Sequence, residues 1–273
     1  MGFEDFLNDN DALFHYTKLS TCIEKILPKK QLRLSSLKDT NDPREYKFSY
    51  LSSIGRKAPK GKEEYYDQCY PIFDRIVKHE CRIICFCSNA KPVITDDCGE
   101  IINDLVPTVE GWAKSRMWSQ YGESQNGVCL VFSKSSLLKY LDRISDIHSH
   151  RKKGAFVKYT PKGVPHDAYQ VNSDLLYEKG VQEYCEMHLE RHIEDLFFTK
   201  HIDYRDESEF RIVLHDPKKK FEFISIENAI KGLVLGDRTP EVYNSVFEQF
   251  SNNLNIGVLK AYWFKGKPNL IRI

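Results

Sequence analysis

The stretch Phe197-Phe-Thr-Lys-His-Ile-Asp-Tyr-Arg-Asp-Glu-Ser-Glu-Phe-Arg-Ile-Val-Leu214 changes character halfway along its length. From Glu207 onward the residues alternate. Glu207, Glu209 and Arg211 fall on one side, and Phe210, Ile212 and Leu214 on the other, which is the period of a strand with one face in a core. The charged face carries two carboxylates one pleat apart, a guanidinium beside them, and Lys200 and His201 upstream. Such a face is either an ordinary exposed sheet surface or the wall of a cleft that presents a catalytic carboxylate. The choice depends on what the rest of the chain brings to it.

The chain has 273 residues, 41% hydrophobic and 29% charged, with a formal net charge of +1. That length can bury a sizeable core, the composition argues against disorder, and the charge excludes a grossly basic nucleic-acid coat. No apolar run approaches the length of a membrane span, and Met1-Gly-Phe-Glu-Asp-Phe6 has neither a signal-peptide nor a myristoylation pattern. A cytoplasmic location is therefore expected. Of eight cysteines, the cluster Cys81, Cys85, Cys87 sits in a run that reads as a buried strand, where Cys serves as a small hydrophobe. Zinc knuckles favour two pairs of cysteines two to four apart on turns, so structural burial is the expectation and a metal the alternative.

The spacing predicts a first strand over Leu13–Thr17, then a helix capped by Ser20 or Thr21 and ended or turned by Pro28. Gln31–Ser35 alternates as a second strand, and Asp39-Thr-Asn-Asp-Pro43 is a turn. A polar linker over 54–66 precedes a helix over 64–80 and a buried strand over Arg82–Ser88. Residues 89–106 read as a mixed acidic loop. Arg116–Tyr121 suits a short helix, 127–132 a strong strand and Ser133–Ile147 a helix. Basic loops are expected at 148–153 and 216–220, a strand at Ala155–Thr160 and a long helical pattern over 173–198. Strands at Phe221–Ile226 and Ile230–Leu235, a helix at 239–252 and a closing strand at Ile256–Trp263 complete the chain. No Gly-x-Gly-x-x-Gly follows a strand, and no Walker loop, His-Glu-x-x-His or Gly-x-Ser-x-Gly is present. The expected class is α+β in a single domain with a mixed or antiparallel sheet.

Several segments set unusual polar or aromatic residues beside core strands. They are His15-Tyr16-Thr17, Arg33-Leu-Ser35-Ser with Asn41-Asp-Pro43, Trp118-Ser-Gln-Tyr121-Gly, Lys200 ahead of Glu207-Ser-Glu209-Phe-Arg211, and Val234-Leu-Gly236. In this order they resemble the domain-of-unknown-function family 2971 over nearly the whole chain. The opening His-Tyr-Thr and Asn-Asp-Pro are also distantly similar to ADP-ribosyltransferases of the DarT type, and the late Glu-x-Glu to arginine-modifying members of that superfamily. The resemblance implies a split sheet and NAD as substrate, with a nucleic acid or protein as acceptor. A role as a bacterial toxin or phage-defence effector would follow.

By the same resemblance Glu209 is the catalytic carboxylate and Glu207 orients the acceptor. His15 and Thr17 bond the NAD ribose, and an aromatic residue stacks on nicotinamide, for which Tyr16, Tyr46, Trp118 and Tyr121 compete. Arg33, Lys200 or Arg211 would neutralise the pyrophosphate, and Ser35 and Asn41 complete the NAD site. The chemistry suits the residue types, because breaking the nicotinamide bond develops positive charge on the ribose. A carboxylate there stabilises that charge or takes a proton. Two other readings stand beside this one. The first is a catalytically silent ligand- or nucleic-acid-binding module on the same scaffold. The second is a nuclease, for which Asp96, Asp97, Glu207, Glu209 and a lysine would gather around a metal.

Overall fold

In the computed structural model, which describes residues 2–40, 42–47, 52–96, 98–102, 109–146, 152–218 and 222–273, the alternating strand begins at Glu209 rather than Glu207. Ser208 adopts left-handed backbone angles (φ 43) at the end of the 3-10 turn Ile202–Glu207, which takes Glu207 out of the pleat. The alternation itself holds, with Phe210, Ile212 and Leu214 in one hydrophobic core. Glu209 and Arg211 face the other way, yet every residue of Glu209–His215 is buried. The charged face is therefore covered by protein and is not an exposed sheet surface.

Nine strands build the main sheet: β1 (Ala12–Thr17), β2 (Ser35–Ser36), β3 (Cys81–Ser88), β4 (Val128–Ser133), β5 (Lys152–Phe156), β6 (Glu209–His215), β7 (Ile230–Leu235), β8 (Gly257–Phe264) and β9 (Lys267–Arg272). Their order is β9-β8-β7-β4-β1-β3-β6-β5, with β2 pairing β3 off this path. β7 and β8 run parallel and the other neighbours antiparallel. The sheet is mixed and the class is α+β, as the irregular interspersion of strands and helices implies.

One seam in this sheet positions the site. β1 pairs with β4 over six positions, from Ala12↔Ser133 to Thr17↔Val128. With β3 it pairs only at Leu13↔Ser88 and Phe14↔Cys87. Beyond Phe14, β1 stays with β4 while β3 stays with β6 from Glu209↔Cys87 to His215↔Cys81. The sheet thus forks between β1 and β3. β2 occupies the edge of β3 further along, at Ser35↔Ile83 and Ser36↔Arg82.

Apolar burial holds both sides of the sheet. One core joins Leu13, Ile84, Phe86, Phe132 and Phe210 to Leu137 and Leu141 of the helix Lys134–Asp146 and to Phe247 of the helix Asn244–Leu254. A second joins Ile83 and Val213 to Phe73 of the helix Tyr65–Arg75 and to Leu189, Leu196 and Phe197 of the helix Val181–Phe198. Each large side chain so buried contributes about 1.5–3 kcal/mol.

Some local expectations change. The helical run after β1 starts at Leu19 behind Lys18, and neither Ser20 nor Thr21 caps it. Instead the Leu19 N–H donates to Glu123 Oε2 at 3.1 Å, an acceptor 104 residues away that local spacing cannot reveal. Pro28 lies inside the last turn (Leu27–Lys29), and the run ends just beyond it at Lys30 with φ 51. A short strand at Ser52–Ile54, paired in parallel with Gln170–Asn172, leads into the stretch read as a linker. Gly180 divides the 173–198 pattern into Ser173–Lys179 and Val181–Phe198. After the expected closing strand, the chain turns once more into β9, whose half-exposed residues lack a clear period. Asn41, Asp97, 148–151 and 219–220 lie outside the described residues. No helix among the described residues is long and apolar enough to cross a membrane.

Candidate active site

The fork opens onto a cavity of about 360 Å³. His15 and Tyr16 reach it from β1, Ile83–Cys87 from β3, Glu209 and Arg211 from β6, and Arg33 and Ser35 from the second-strand region. Lys200, Tyr204 and Glu207 line it from the segment before β6, Glu45 from the helix Pro43–Tyr46, and Met117 and Tyr121 from the helix Ser115–Gln120 and its end. Of the residues predicted from sequence, Thr17 and Trp118 stand apart from the lining. Trp118 is 1% exposed, donates its indole N–H to Trp112 O at 2.8 Å and packs edge-on to Tyr16 at 4.9 Å. It is a core residue and cannot stack on a ligand. Tyr46 packs in the second core and is likewise absent from the lining. Tyr16 lines the cavity but is tied back, its hydroxyl donating to Gly111 O at 2.5 Å. Tyr121 is left as the half-buried aromatic of the expected set.

His15 replaces a strand partner at the fork. Its Nδ1 lies 3.1 Å from Cys85 O, a carbonyl between the positions where β1 and β2 pair with β3. A carbonyl only accepts, so Nδ1 carries the hydrogen and Nε2 is left as an acceptor. Burial lowers the His15 pKa from its ordinary value, against the opposing effect of the Cys85 hydrogen bond. The ring is neutral at pH 7.

The charged groups form one buried network. Arg211, with no exposed surface, donates from Nε to Glu209 Oε1 (2.7 Å), from Nη2 to Glu209 Oε2 (3.3 Å) and from Nη1 to Phe197 O (2.8 Å). Glu45 Oε1 lies 2.7 Å from Arg211 Nη2, an ion contact without hydrogen-bond alignment, and Glu45 Oε2 makes no hydrogen bond. Lys200 Nζ donates to Glu207 Oε2 and to Glu209 Oε2, each at 2.8 Å, and lies 5.0 Å from the Tyr204 ring centre. Arg116 lies 5.2 Å from the same ring centre. Lys114 braces the turn after Glu207, donating to Asp206 O (2.9 Å) and Ser208 Oγ (3.1 Å).

This network pushes the two carboxyls in opposite directions. Burial raises the Glu209 pKa, but Arg211 and Lys200 outweigh it and hold the group well below the usual carboxylate range. It stays ionised. Burial also raises Glu207, and here it prevails over Lys200, with the Glu209 charge adding to it. Glu207 Oε1 makes no hydrogen bond. Burial alone would lower the Lys200 pKa, yet Glu209, Glu45 and Glu207 together raise it well above its ordinary value. Two cations are therefore enclosed with three carboxylates.

Glu45, Tyr204 and Lys114 were missed in the sequence. Glu45 comes two residues after Pro43: Asp42 Oδ1 accepts from Arg44 N (2.9 Å), Pro43 occupies the first turn, and the short helix then buries Glu45. A capping signal next to an acidic residue was the available clue. Of the basic runs, Lys152 and Lys153 pair with Asp142 and Glu194 and do not reach the site. Asp96 caps its own loop, accepting from the backbone of Cys98 and Glu100. Among the described residues no group of three or more His, Cys, Asp or Glu is placed to hold a metal ion.

Residues 117–212 match a family described as a protein of unknown function, DUF2971. The match spans Tyr121, Lys200, Glu207, Glu209 and Arg211 and leaves His15, Arg33, Ser35 and Glu45 outside it. No curated protein and no solved structure matches the chain.

Proposed function

We propose that this chain binds NAD at the fork and transfers ADP-ribose from it to a macromolecular acceptor, a nucleic acid or a protein. The observation that carries the reading is Glu209, a carboxylate held ionised by Arg211 and Lys200 on the wall of a cavity that His15 enters from the opposite strand. Leaving of nicotinamide moves positive charge from the pyridinium ring to the ribose, and an ionised carboxylate placed beside the ribose favours that shift. Its size lies at the lower end of the roughly 300–1,000 Å³ of small-molecule sites, which suits the nicotinamide riboside half of the ligand.

The roles divide as the environments do. Glu209 has its oxygens occupied by Arg211 and Lys200 and acts through its charge. Glu207 offers an unbonded Oε1 and a raised proton affinity, so it receives the proton of the attacking acceptor. His15 Nε2 accepts from a ribose hydroxyl, and Tyr121 or Tyr204 supplies the aromatic contact. In net terms, the glycosidic bond to nicotinamide breaks with its electron pair leaving on the ring nitrogen. The acceptor forms the new bond at the same carbon and loses its proton to Glu207.

A ligand-binding module without turnover is the competing reading, and the full occupation of Glu209 by its two cations favours it. The deciding experiment incubates the wild type and Glu209→Gln with labelled NAD and cell extract, following nicotinamide release and label transfer. Release and transfer in the wild type alone support the transferase. Equal absence in both overturns it.

A further inference from the structure

The cavity at the fork is ill suited to phosphate. Its buried cations, Lys200 and Arg211, are already engaged by three carboxylates, and Arg33 is an exposed partner of Glu222 at 3.3 Å. A diphosphate forced into this cavity would have to displace Glu45, Glu207 and Glu209 from these cations. Next to it lies a second cavity of about 400 Å³, sharing Asp42, Glu45 and Lys200 as a common wall. The rest of its lining carries five basic residues, Arg44, Lys47, Lys162, His166 and His201, among uncharged ones. Arg44 and His201 lie against Asp203, at 3.3 and 3.0 Å. Among the described residues Lys47 and His166 make no ion pair, and both are exposed.

We infer that this second cavity is a subsite for the diphosphate of the same ligand. The two cavities then form one dipolar receptacle, acidic at the fork and basic beyond the Asp42–Glu45 wall. That polarity matches a molecule with a pyridinium ring at one end and a diphosphate in its middle. Neither Lys200 nor Arg211 contacts the phosphates in this arrangement. Lys47 and Lys162, on long stems at the surface, reach the phosphate oxygens as point charges, and His166 adds a hydrogen bond. The inference rests on the NAD reading for the identity of the whole ligand, but the anion subsite stands or falls by itself.

The test compares the wild type with the double variant Lys47→Glu/Lys162→Glu, using ADP and nicotinamide riboside as separate probes in calorimetry. Both substitutions are on exposed side chains, and circular dichroism checks that the variant keeps the fold. The expected result is ADP binding weakened about tenfold or more in the variant, with nicotinamide riboside affinity unchanged. Wild-type ADP binding should also fall with added salt. Absence of ADP binding to the wild type, or equal ADP affinity in both proteins, would overturn the subsite. If ADP binds through these lysines while NAD is never consumed, the subsite holds and the transferase reading fails. If the variant consumes NAD at the wild-type KM, the transferase reading holds and the subsite fails.

Discussion

Lys200 Nζ stands 2.8 Å from Glu207 Oε2 and 2.8 Å from Glu209 Oε2, so a single buried ammonium joins two carboxylates from different elements. Replacing it by Met leaves two buried like charges face to face. Lys200→Met is expected to lower unfolding free energy by about 3–5 kcal/mol, read from the urea midpoint. Adding Glu207→Gln should restore part of the loss, because one of the uncompensated charges is then gone. A double-mutant cycle without coupling would contradict the network.

The opposed pKa shifts of the pair predict that the two glutamates fail differently. On the proposed mechanism Glu209→Gln should lower nicotinamide release about 100-fold or more, because it removes the charge assigned to the ribose cation. Glu207→Gln should leave hydrolytic release within a few fold and lower transfer to the acceptor. Chromatographic assay of nicotinamide, beside label counted on the acceptor, separates the outcomes. Identical profiles for the two variants would refute the division of roles.

His188 makes stability depend on pH away from the cavity. Its Nε2–H donates to Ala168 O at 2.9 Å, and its Nδ1 lies 3.4 Å from the Tyr184 hydroxyl, which itself accepts from Asn172 N at 2.8 Å. Burial, helped by His192 and Arg191 and opposed by the Ala168 bond, brings its pKa down to about 4. In the unfolded chain the ring titrates near 6.5. Between those values the unfolded state holds more protons, so stability is full above about pH 6.5 and falls as pH drops towards 4, by roughly 3 kcal/mol at most. Denaturation midpoints across this window should show the slope, and His188→Gln should flatten it.

Glu123 caps a helical run that lies far from it in sequence. Glu123→Ala removes the acceptor for Leu19 N–H and should cost about 1 kcal/mol, measured as a lowered thermal midpoint. Ser20→Ala, at the position local spacing favours for a cap, should be nearly silent. The reverse ranking would show that the cap is local after all.

What could be read from the residues follows a physical boundary. Local periods placed β1, β3, β4 and β6 and the face that Glu209 shares with Arg211, because alternation is a property of neighbours. Motif grouping also gathered His15, Tyr121, Lys200 and Glu207 into one lining. Trp118 was misplaced because aromatic spacing alone does not say which side of a short helix meets the core. Glu207 was misplaced because one left-handed residue, Ser208, breaks the register, and a serine gives little warning of positive φ. The contact of Glu45 with Arg211 and the Glu123 cap depend on chain segments meeting across long separations, about which local pattern is silent.

The seam at Leu13↔Ser88 and Phe14↔Cys87 has a mechanical consequence. To one side of it stand β1, β4, β7, β8 and β9, and to the other β3, β6 and β5. The two plates share few ladder bonds there, with the His15–Cys85 contact as an added stitch. Any molecule gripping both His15 and Glu209 would staple one plate to the other, whatever its chemical identity. Its binding energy would then appear as resistance to local opening, slowing amide exchange at Leu13, Phe14, Cys87 and Ser88 while leaving the β8–β9 hairpin at its own pace.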